Sequence, residues 1–350
     1  MATIKEVARR ARVSVGTVSN VVSGAVPVSK RLKERVLEVI QQLDYQPDHV
    51  ARSMKIRQTR TIGLVIPDIT DPFFSVVMRG AEDAAWSANY ILITFNSDDR
   101  PARERQALDA LRSRRVDGIL LVAAPGSDPE RIRTINDGGI PIVCLDHEPA
   151  DLRLDSVVVN NFRGAQGCVR HFVSLGHRRI GFLNGGQGLA VARDRYAGYL
   201  KALEEEDLRF DEDLVVSAGP TPAETLAGAR LLLCRETRPT AVLAANIPAV
   251  TGLLRALHQL PLRCPEEVAV ATFDDPMFSE AIMPALTAIA QPSYDLGRKG
   301  VELLLKRLEE PQRRRTTIVL ETMLRVRESC GARRMGDAGL NSELAEQPVK

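Results

Sequence analysis

Apolar residues recur at two different rhythms along this chain. In the first 45 residues the rhythm is helical. Ile4, Val7, Ala8 and Ala11 fall at i, i+3, i+4 and i+7, and Thr3 with Glu6 forms a Ser/Thr-x-x-Glu capping box ahead of them. Ser14 is placed to cap a second helix whose Val18, Val21 and Val22 face inward, leaving Val15, Gly16, Ser19 and Asn20 on the outer side. Ser29 is placed to cap a third, with Leu32, Val36, Val39, Ile40 and Leu43 as its stripe, ending near Tyr45. A buried stripe with small and polar residues on the outer face of the second helix is the layout of a helix-turn-helix that reads DNA. An ordinary helical hairpin on a larger domain shares that layout. Residues 48–56 have length for about two helical turns, marginal without a partner. They read as a hinge that orders only on DNA or a second subunit, or as a plain linker.

From Thr61 short apolar runs alternate with amphipathic stretches. Candidate strands are 62–66, 90–95, 118–122, 141–145, 180–183, 241–244, 268–272 and 317–320; candidate helices are 74–87, 103–114, 164–175, 193–205 and 294–308. Alternation of this kind predicts doubly wound parallel sheets. A weak repeat runs through it: Arg60-Thr-Ile-Gly-Leu-Val resembles Arg178-Arg-Ile-Gly-Phe-Leu, the run from Val116 echoes that from Arg238, and the run from Ile140 to Asp146 echoes that from Val268 to Asp274. Two similar open sheets side by side leave a cleft, and such sheets bind ligands outside the carboxyl ends of their strands, where Asp146 and Asp274 stand. Residues 331–350 are polar and aperiodic and read as a disordered tail.

Charge sharpens the division. The chain has 350 residues and net charge +2, yet residues 1–60 carry +7 and the rest −5. A basic head suits phosphate contact and salt-sensitive binding, and a slightly acidic body does not. Five scattered cysteines have no metal-ligand spacing and an odd count, which points to buried thiols in a reducing compartment. No run approaches a membrane span and the N-terminus has no apolar core of a signal peptide, so a cytoplasmic protein is expected.

Head and body together resemble the lactose-repressor and purine-repressor family of bacterial transcription regulators. The resemblance is carried, in order, by Thr3-Ile-x-x-Val-Ala8, Val13-Ser-Val-Gly-Thr-Val-Ser19, Val50-Ala-Arg-Ser-Met54, the run Thr61–Phe74, Leu175-Gly-His177, Arg195-Tyr-Ala-Gly198, Phe273-Asp-Asp275 and Leu286–Pro292. It implies an all-α helix-turn-helix head at 1–46 and a hinge at 47–60. It further implies an α/β body at 61–330 of two doubly wound lobes like periplasmic binding proteins. Lobe 1 spans about 61–160 plus 291–320, and lobe 2 about 161–290 plus 321–330. It also implies a homodimer on a roughly palindromic double-stranded DNA operator, a small-molecule effector, and no membrane partner, metal or cofactor.

By the same resemblance Val15, Gly16 and Asn20 take the base-reading places. Asn20 stands where relatives carry a longer polar group, and it can pair bidentately with adenine. Ser14, Thr17 and Ser19 match phosphate-contacting hydroxyls, which position rather than specify. Thr3, Val50 and Lys55 join the DNA-binding set. Met54 matches a wedge that enters the minor groove, the alternative being a contact between hinge helices alone. For the effector, Arg195 matches a ligand-gripping guanidinium or else a surface ion pair with Asp194. Asp274 matches a hydroxyl-binding carboxylate or else the cap of the turn at Pro276. Phe73 and Phe74 match an aromatic wall, and Asp146 and Gln291 belong to the same set. Asp71 replaces a commoner asparagine, whereas Asn160 and Asn246-Ile247 stand where aspartate is frequent. Those departures leave three possibilities open: a ligand poorer in hydroxyls than a sugar, an anionic ligand, or an altered sensor.

Other signals fall away. Gly185-Gly-Gln-Gly188 lacks the ending of a phosphate loop, and His147-Glu-Pro-Ala-Asp151 lacks a second histidine at helical spacing. No Gly-x-Ser-x-Gly elbow occurs, and the tail has no heptads to add a tetramerising coil. The expectation is therefore a ligand-responsive DNA-binding regulator, most simply a repressor, without catalysis. An enzyme with a regulatory head and an architectural DNA-binding dimer are the rivals.

Overall fold

The computed structural model describes residues 2–23, 26–45, 58–148, 152–184, 190–219 and 221–332. Residues 46–57, which hold most of the proposed hinge with Val50, Met54 and Lys55, the glycine run 185–188 and the tail beyond 332 lie outside them. The chain divides into two units, residues 1–59 and 60–350.

The head holds three helices, α1 (Ile4–Ala11), α2 (Val15–Ser23) and α3 (Lys30–Gln42). The Thr3 hydroxyl accepts from Glu6 N at 3.3 Å and the Glu6 carboxylate accepts from Thr3 N at 3.4 Å, closing the expected capping box. Arg12, at φ 51, ends α1. Ser14 Oγ accepts from Thr17 N at 3.0 Å and starts α2. Ser29 precedes α3 without a side-chain cap, so α3 starts without the hydroxyl bond its sequence promised. Packing holds it instead: Val36 and Val39 meet Val7, Ala8, Ala11, Val18 and Val21 in one small core.

The body contains two six-stranded sheets. In chain order the first half supplies β1 (Thr61–Ile66), α4 (Pro72–Ser87), β2 (Ile91–Asn96), α5 (Pro101–Ser113), β3 (Gly118–Leu121), α6 (Pro129–Asp137), β4 (Ile142–Asp146) and β5 (Asp155–Val159). The second supplies α7 (Asn161–Ser174), β6 (Ile180–Asn184), α8 (Ala190–Glu205), β7 (Val215–Ser217), α9 (Pro222–Leu233), β8 (Ala241–Ala244), α10 (Ile247–Gln259), β9 (Ala269–Phe273) and β10 (Thr287–Ala290). Then come α11 (Ser293–Glu309), β11 (Thr317–Leu320) and β12 (Met323–Arg325). The sheet orders are β11-β5-β4-β3-β1-β2 and β12-β10-β9-β8-β6-β7. Every pairing is parallel except β10 with β12. The repeat read from the sequence is thus a repeat of position: β1, β3 and β4 hold the places of β6, β8 and β9. Because the chain passes between the sheets after β5, β10 and β11, three segments link the lobes.

Strands β5, β7, β10 and β12 and helices α6 and α10 were not foreseen, and of α9 only its end, the leucine run 231–233, reads as the core face of a helix. β7 and β12 have three residues each, too few to show a period. β5 opens on Asp155 and Ser156, polar residues that a buried strand normally excludes. Tertiary partners make it possible. Asp155 accepts from Arg307 Nε at 2.8 Å, Arg307 Nη2 at 3.0 Å and Thr316 N at 2.7 Å. Those bonds pin β5 beside β11 and compensate an otherwise costly buried carboxylate.

Helices pack on both faces of each sheet, so the strand interiors are continuously apolar. Leu64, Val65, Ile119, Leu120 and Val143 are fully buried in the first, and Phe182, Leu243, Val270 and Phe273 in the second.

Candidate DNA-reading surface and effector cleft

On the head, α2 carries no charged residue. Val18 is fully buried and holds the helix to α1 and α3, while Val15 on its first turn is 42 % exposed. Gly16 is exposed, and a Cβ there would meet only Ser14 Oγ, at 3.6 Å. An apolar methyl pair beside a bare backbone is a surface that fits a thymine methyl and a close approach. Thr17, Ser19 and Asn20 are half-buried on the same helix. Ser14 and Thr17 share a hydroxyl contact of 2.9 Å, so capping and any phosphate contact fall to one coupled pair. Lys5, Arg9, Arg10 and Arg12 around α1, and Lys30, Arg31, Lys33 and Arg35 on α3, are all exposed, which gives the head its positive face.

In the body, the first candidate residues sit at the carboxyl ends of equivalent strands. Asp146 ends β4 at φ 70 and Asp274 follows β9 at φ 68. Left-handed backbone is uncommon for a residue with a Cβ, and aspartate is among those that tolerate it. Its recurrence at matched places in both sheets aims two carboxylates at the region between the lobes. Arg195, on α8, is only 6 % exposed. Its Nε donates to Asn161 Oδ1 at 2.7 Å, its Nη1 to Ala245 O at 2.6 Å, and its guanidinium lies over the Phe273 ring at 4.0 Å. The surface ion pair with Asp194 is therefore not its role. Asp274, Asp146, Asp194 and Asp71 all lie within electrostatic range of it. Burial lowers the arginine's pKa from its ordinary value, and those four carboxylates oppose the shift.

Asp274 is held by Gln291 Nε2, on the segment that leads into α11, rather than capping the turn at Pro276. Burial raises its carboxyl above the usual range, against the pull of Arg195 and Gln291. Gln291 Oε1 and Asn184 Oδ1 are both buried without a hydrogen-bond partner among the described residues. Two orphaned carbonyl oxygens at strand ends suit a ligand rich in hydroxyl donors.

Three other candidates begin helices. Asp71 caps α4 by accepting from Phe73 N at 2.9 Å, and burial raises its carboxyl. Asn246 caps α10 by accepting from Ala249 N at 2.9 Å. Asn160 caps α7 by accepting from Arg163 N at 3.2 Å while donating to both Glu321 carboxylate oxygens at 3.1 Å. An aspartate at 160 would face Glu321 as a like charge, which explains the amide. Asn160 is consequently the candidate least available to a ligand. Phe73 and Phe74 meet edge to face at 4.9 Å and pack on the lobe 1 core.

Asn161, Phe273 and His147 carry no sequence signal for the cleft: Phe273 stands only within a family motif and His147 only in a failed metal spacing. Each adjoins a candidate residue, and only the strand and helix ends show which neighbour turns toward Arg195 or Asp146.

A three-helix DNA-reading head joined to a body of two matched, doubly wound lobes defines the class: a regulator that couples a small-molecule receptor to DNA. Residues 3–48 match the bacterial regulatory proteins of the lacI family, and residues 169–330 match the periplasmic binding protein-like domain. The ribose operon repressor of Haemophilus influenzae is 33 % identical over 94 % of this chain and 98 % of its own. Among solved structures, the Lac repressor dimer bound to operator and the anti-inducer ONPF is 26 % identical with a TM-score of 0.84, covering 95 % of this chain and 99 % of that one. A LacI family regulator from Enterococcus faecium with bound ribose is 29 % identical with a TM-score of 0.70, covering 77 % and 98 %. The chain belongs to the lacI family of transcription regulators. The matched relatives are repressors, which sets the enzyme reading aside. Among the described residues no helix is long and apolar enough to cross a membrane.

Proposed function

We propose that the chain works in the cytoplasm as a dimeric repressor that binds a palindromic operator and releases or grips it in response to a neutral, polyhydroxylated effector of the ribose class. The carrying observation is Arg195, buried between the lobes with four aspartates in range and only one of its guanidinium nitrogens, Nη2, without a hydrogen bond among the described residues. The two engaged nitrogens fix the guanidinium plane, the remaining Nη2 can donate to a sugar oxygen, and the aspartates suit sugar hydroxyl donors. Charge argues against an anionic effector. Burial already raises Asp71, Asp194 and Asp274, and each further negative charge would raise them more.

Two exposed apolar regions support the second copy. Trp86 (77 % exposed) lies near Ile91, which opens the edge strand β2, and Met277 (97 % exposed) and Met283 lie on lobe 2. Large apolar side chains left in water at a sheet edge suit an interface between copies. Lobe closure would reset the three linking segments and hence the spacing of the two heads. The effector can act only through its different affinity for the open and closed arrangements.

Calorimetric titration with D-ribose and D-ribose 5-phosphate, beside operator selection from random duplexes, tests the reading. Binding of the sugar and rejection of its phosphate are expected, and preference for the phosphate would overturn the charge argument. Asn20→Ala is expected to relax base choice at one position per half-site, at a cost of about 1–3 kcal/mol. Equal weakening on every duplex would remove Asn20 from the base-reading set.

A further inference from the structure

His147 follows Asp146 at the end of β4, and nothing above gives it a role. It is almost enclosed, with its side chain 14 % exposed. Its Nδ1 lies 3.3 Å from Asp146 Oδ2, and its Nε2 lies 3.0 Å from Ala123 O, the carbonyl just past β3. A backbone carbonyl and a carboxylate only accept hydrogen bonds under these conditions. A neutral imidazole has one N–H and one lone pair, so one contact would set two lone pairs against each other. Only the imidazolium donates to both.

We infer that His147 is held as an imidazolium that bridges the ends of β3 and β4 and fixes the Asp146 carboxylate in the cleft, making it a positioning residue for effector binding. The inference rests on the reading of Asp146 as an effector contact. Four carboxyl groups surround the His147 ring: Asp99 after β2, Glu104 on α5, Asp146 at the end of β4, and Asp194 from α8 of the other lobe. Burial raises Asp99, Glu104 and Asp194, and the ring pulls each of them back down. The cation nearby is Arg195, beside Asp194 and within range of Asp146. Glu104 is itself buried and fixed by Ala124 N at 2.6 Å and Ser127 Oγ at 2.8 Å, so it cannot turn away. Burial opposes the charged ring, but the bond to Asp146, its charge, Ala123 O and Asp99 together leave the His147 pKa above the ordinary histidine value.

The direction of the pH effect follows. A histidine whose folded pKa is raised contributes fully below the unfolded value, and its contribution is lost as pH rises through the folded one. Above that point one of the two contacts is lost: either Asp146 loses its donor, or the ring is no longer anchored on Ala123 O, and in both cases the carboxylate is held less firmly in its place opposite Arg195. Effector affinity therefore falls as the solution turns alkaline.

Nitrogen-15 signals of the full-length protein, labelled at histidine, read the ring directly. Both ring nitrogens of His147 should be protonated in mildly acidic solution, with a midpoint above the ordinary histidine value. Asp146→Asn should lower that midpoint. A midpoint at or below the ordinary histidine value, or one that Asp146→Asn leaves unmoved, overturns the bridge. D-ribose titrations then test positioning. Wild-type affinity should fall roughly tenfold from about pH 6.5 to about pH 9, the effect of losing one charged hydrogen bond. His147→Asn keeps a donor near Nδ1 without a titrating proton, and its affinity should stay close to the wild-type low-pH value throughout. His147→Phe should be weak throughout. A wild-type affinity indifferent to pH, or the same profile in His147→Asn, overturns the positioning role. D-ribose bound at no pH overturns the ribose reading instead, and the nitrogen signals still decide the bridge.

Discussion

Arg195→Ala is expected to abolish the effector response while the effector-free protein still binds operator. The side chain does three things at once. It satisfies Asn161 Oδ1 and Ala245 O, it stacks on Phe273, and it is the positive charge that Asp71, Asp146, Asp194 and Asp274 share. Truncation leaves two buried acceptors unmade and four carboxylates without their cation. Removing one member of a buried charged network typically costs about 3–5 kcal/mol. Part of that cost falls on the lobe interface and part on the ligand, so D-ribose affinity should weaken by at least about a hundredfold, equivalent to about 2.7 kcal/mol. Arg195→Lys should recover little, since an ammonium neither forks onto two oxygens nor lies flat on Phe273. Calorimetry with D-ribose and fluorescence anisotropy on a labelled operator separate the two functions. If operator binding disappears together with the response in a folded variant, Arg195 serves the fold and not the effector.

Gly297→Val is expected to give the largest loss of stability. α4 and α11 cross so closely that a Cβ on Gly297 would stand 1.9 Å from Val77 O and 2.8 Å from Ala81 N. On the opposite helix, a Cβ on Gly80 would stand 2.0 Å from Tyr294 O. These obstacles are backbone atoms of helices and cannot rotate aside, so the helices must separate. Glycine within a helix costs up to about 1 kcal/mol relative to alanine, which the close crossing offsets. Overpacking of this kind costs about 3 kcal/mol, and more for a branched side chain against backbone. In a body this size that lowers the unfolding temperature by on the order of 5–10 °C. The displacement also reaches the cleft: α4 begins at its cap Asp71, and α11 follows the Gln291 that holds Asp274. Effector affinity should therefore fall with stability, and calorimetric melting beside D-ribose titration reads both. Unchanged melting would mean that the helices have room to part without loss.

The parts of the cleft that were legible beforehand share one property, a local signal. Asp146 and Asp274 close apolar runs that repeat, and Arg195 sits in a motif a family carries. Asp71 precedes a proline and Asn246 comes two residues before one, a pattern that marks helix starts, and both prove to be caps as well as candidates. His147 and Asn161 have no such mark. Their partners Ala123 and Arg195 are 24 and 34 positions away, and no periodicity reports a contact of that span. β5 was hidden for the same reason, since Arg307 and Thr316 make its aspartate tolerable from 152 and 161 positions away.

By itself, the order of residues determined the kind of module at each end of the chain, the alternation that builds parallel sheets, and the pairing of two aspartates at strand ends. Those properties depend on spacing over a few turns or one strand, where the backbone geometry is set by neighbours. Only the folded body decided which strand each terminal strand pairs with, which residues turn toward Arg195, and that both nitrogens of His147 face acceptors. Such choices are made by charges and carbonyls brought together from distant segments, and their energies exist only once water has been excluded from between them.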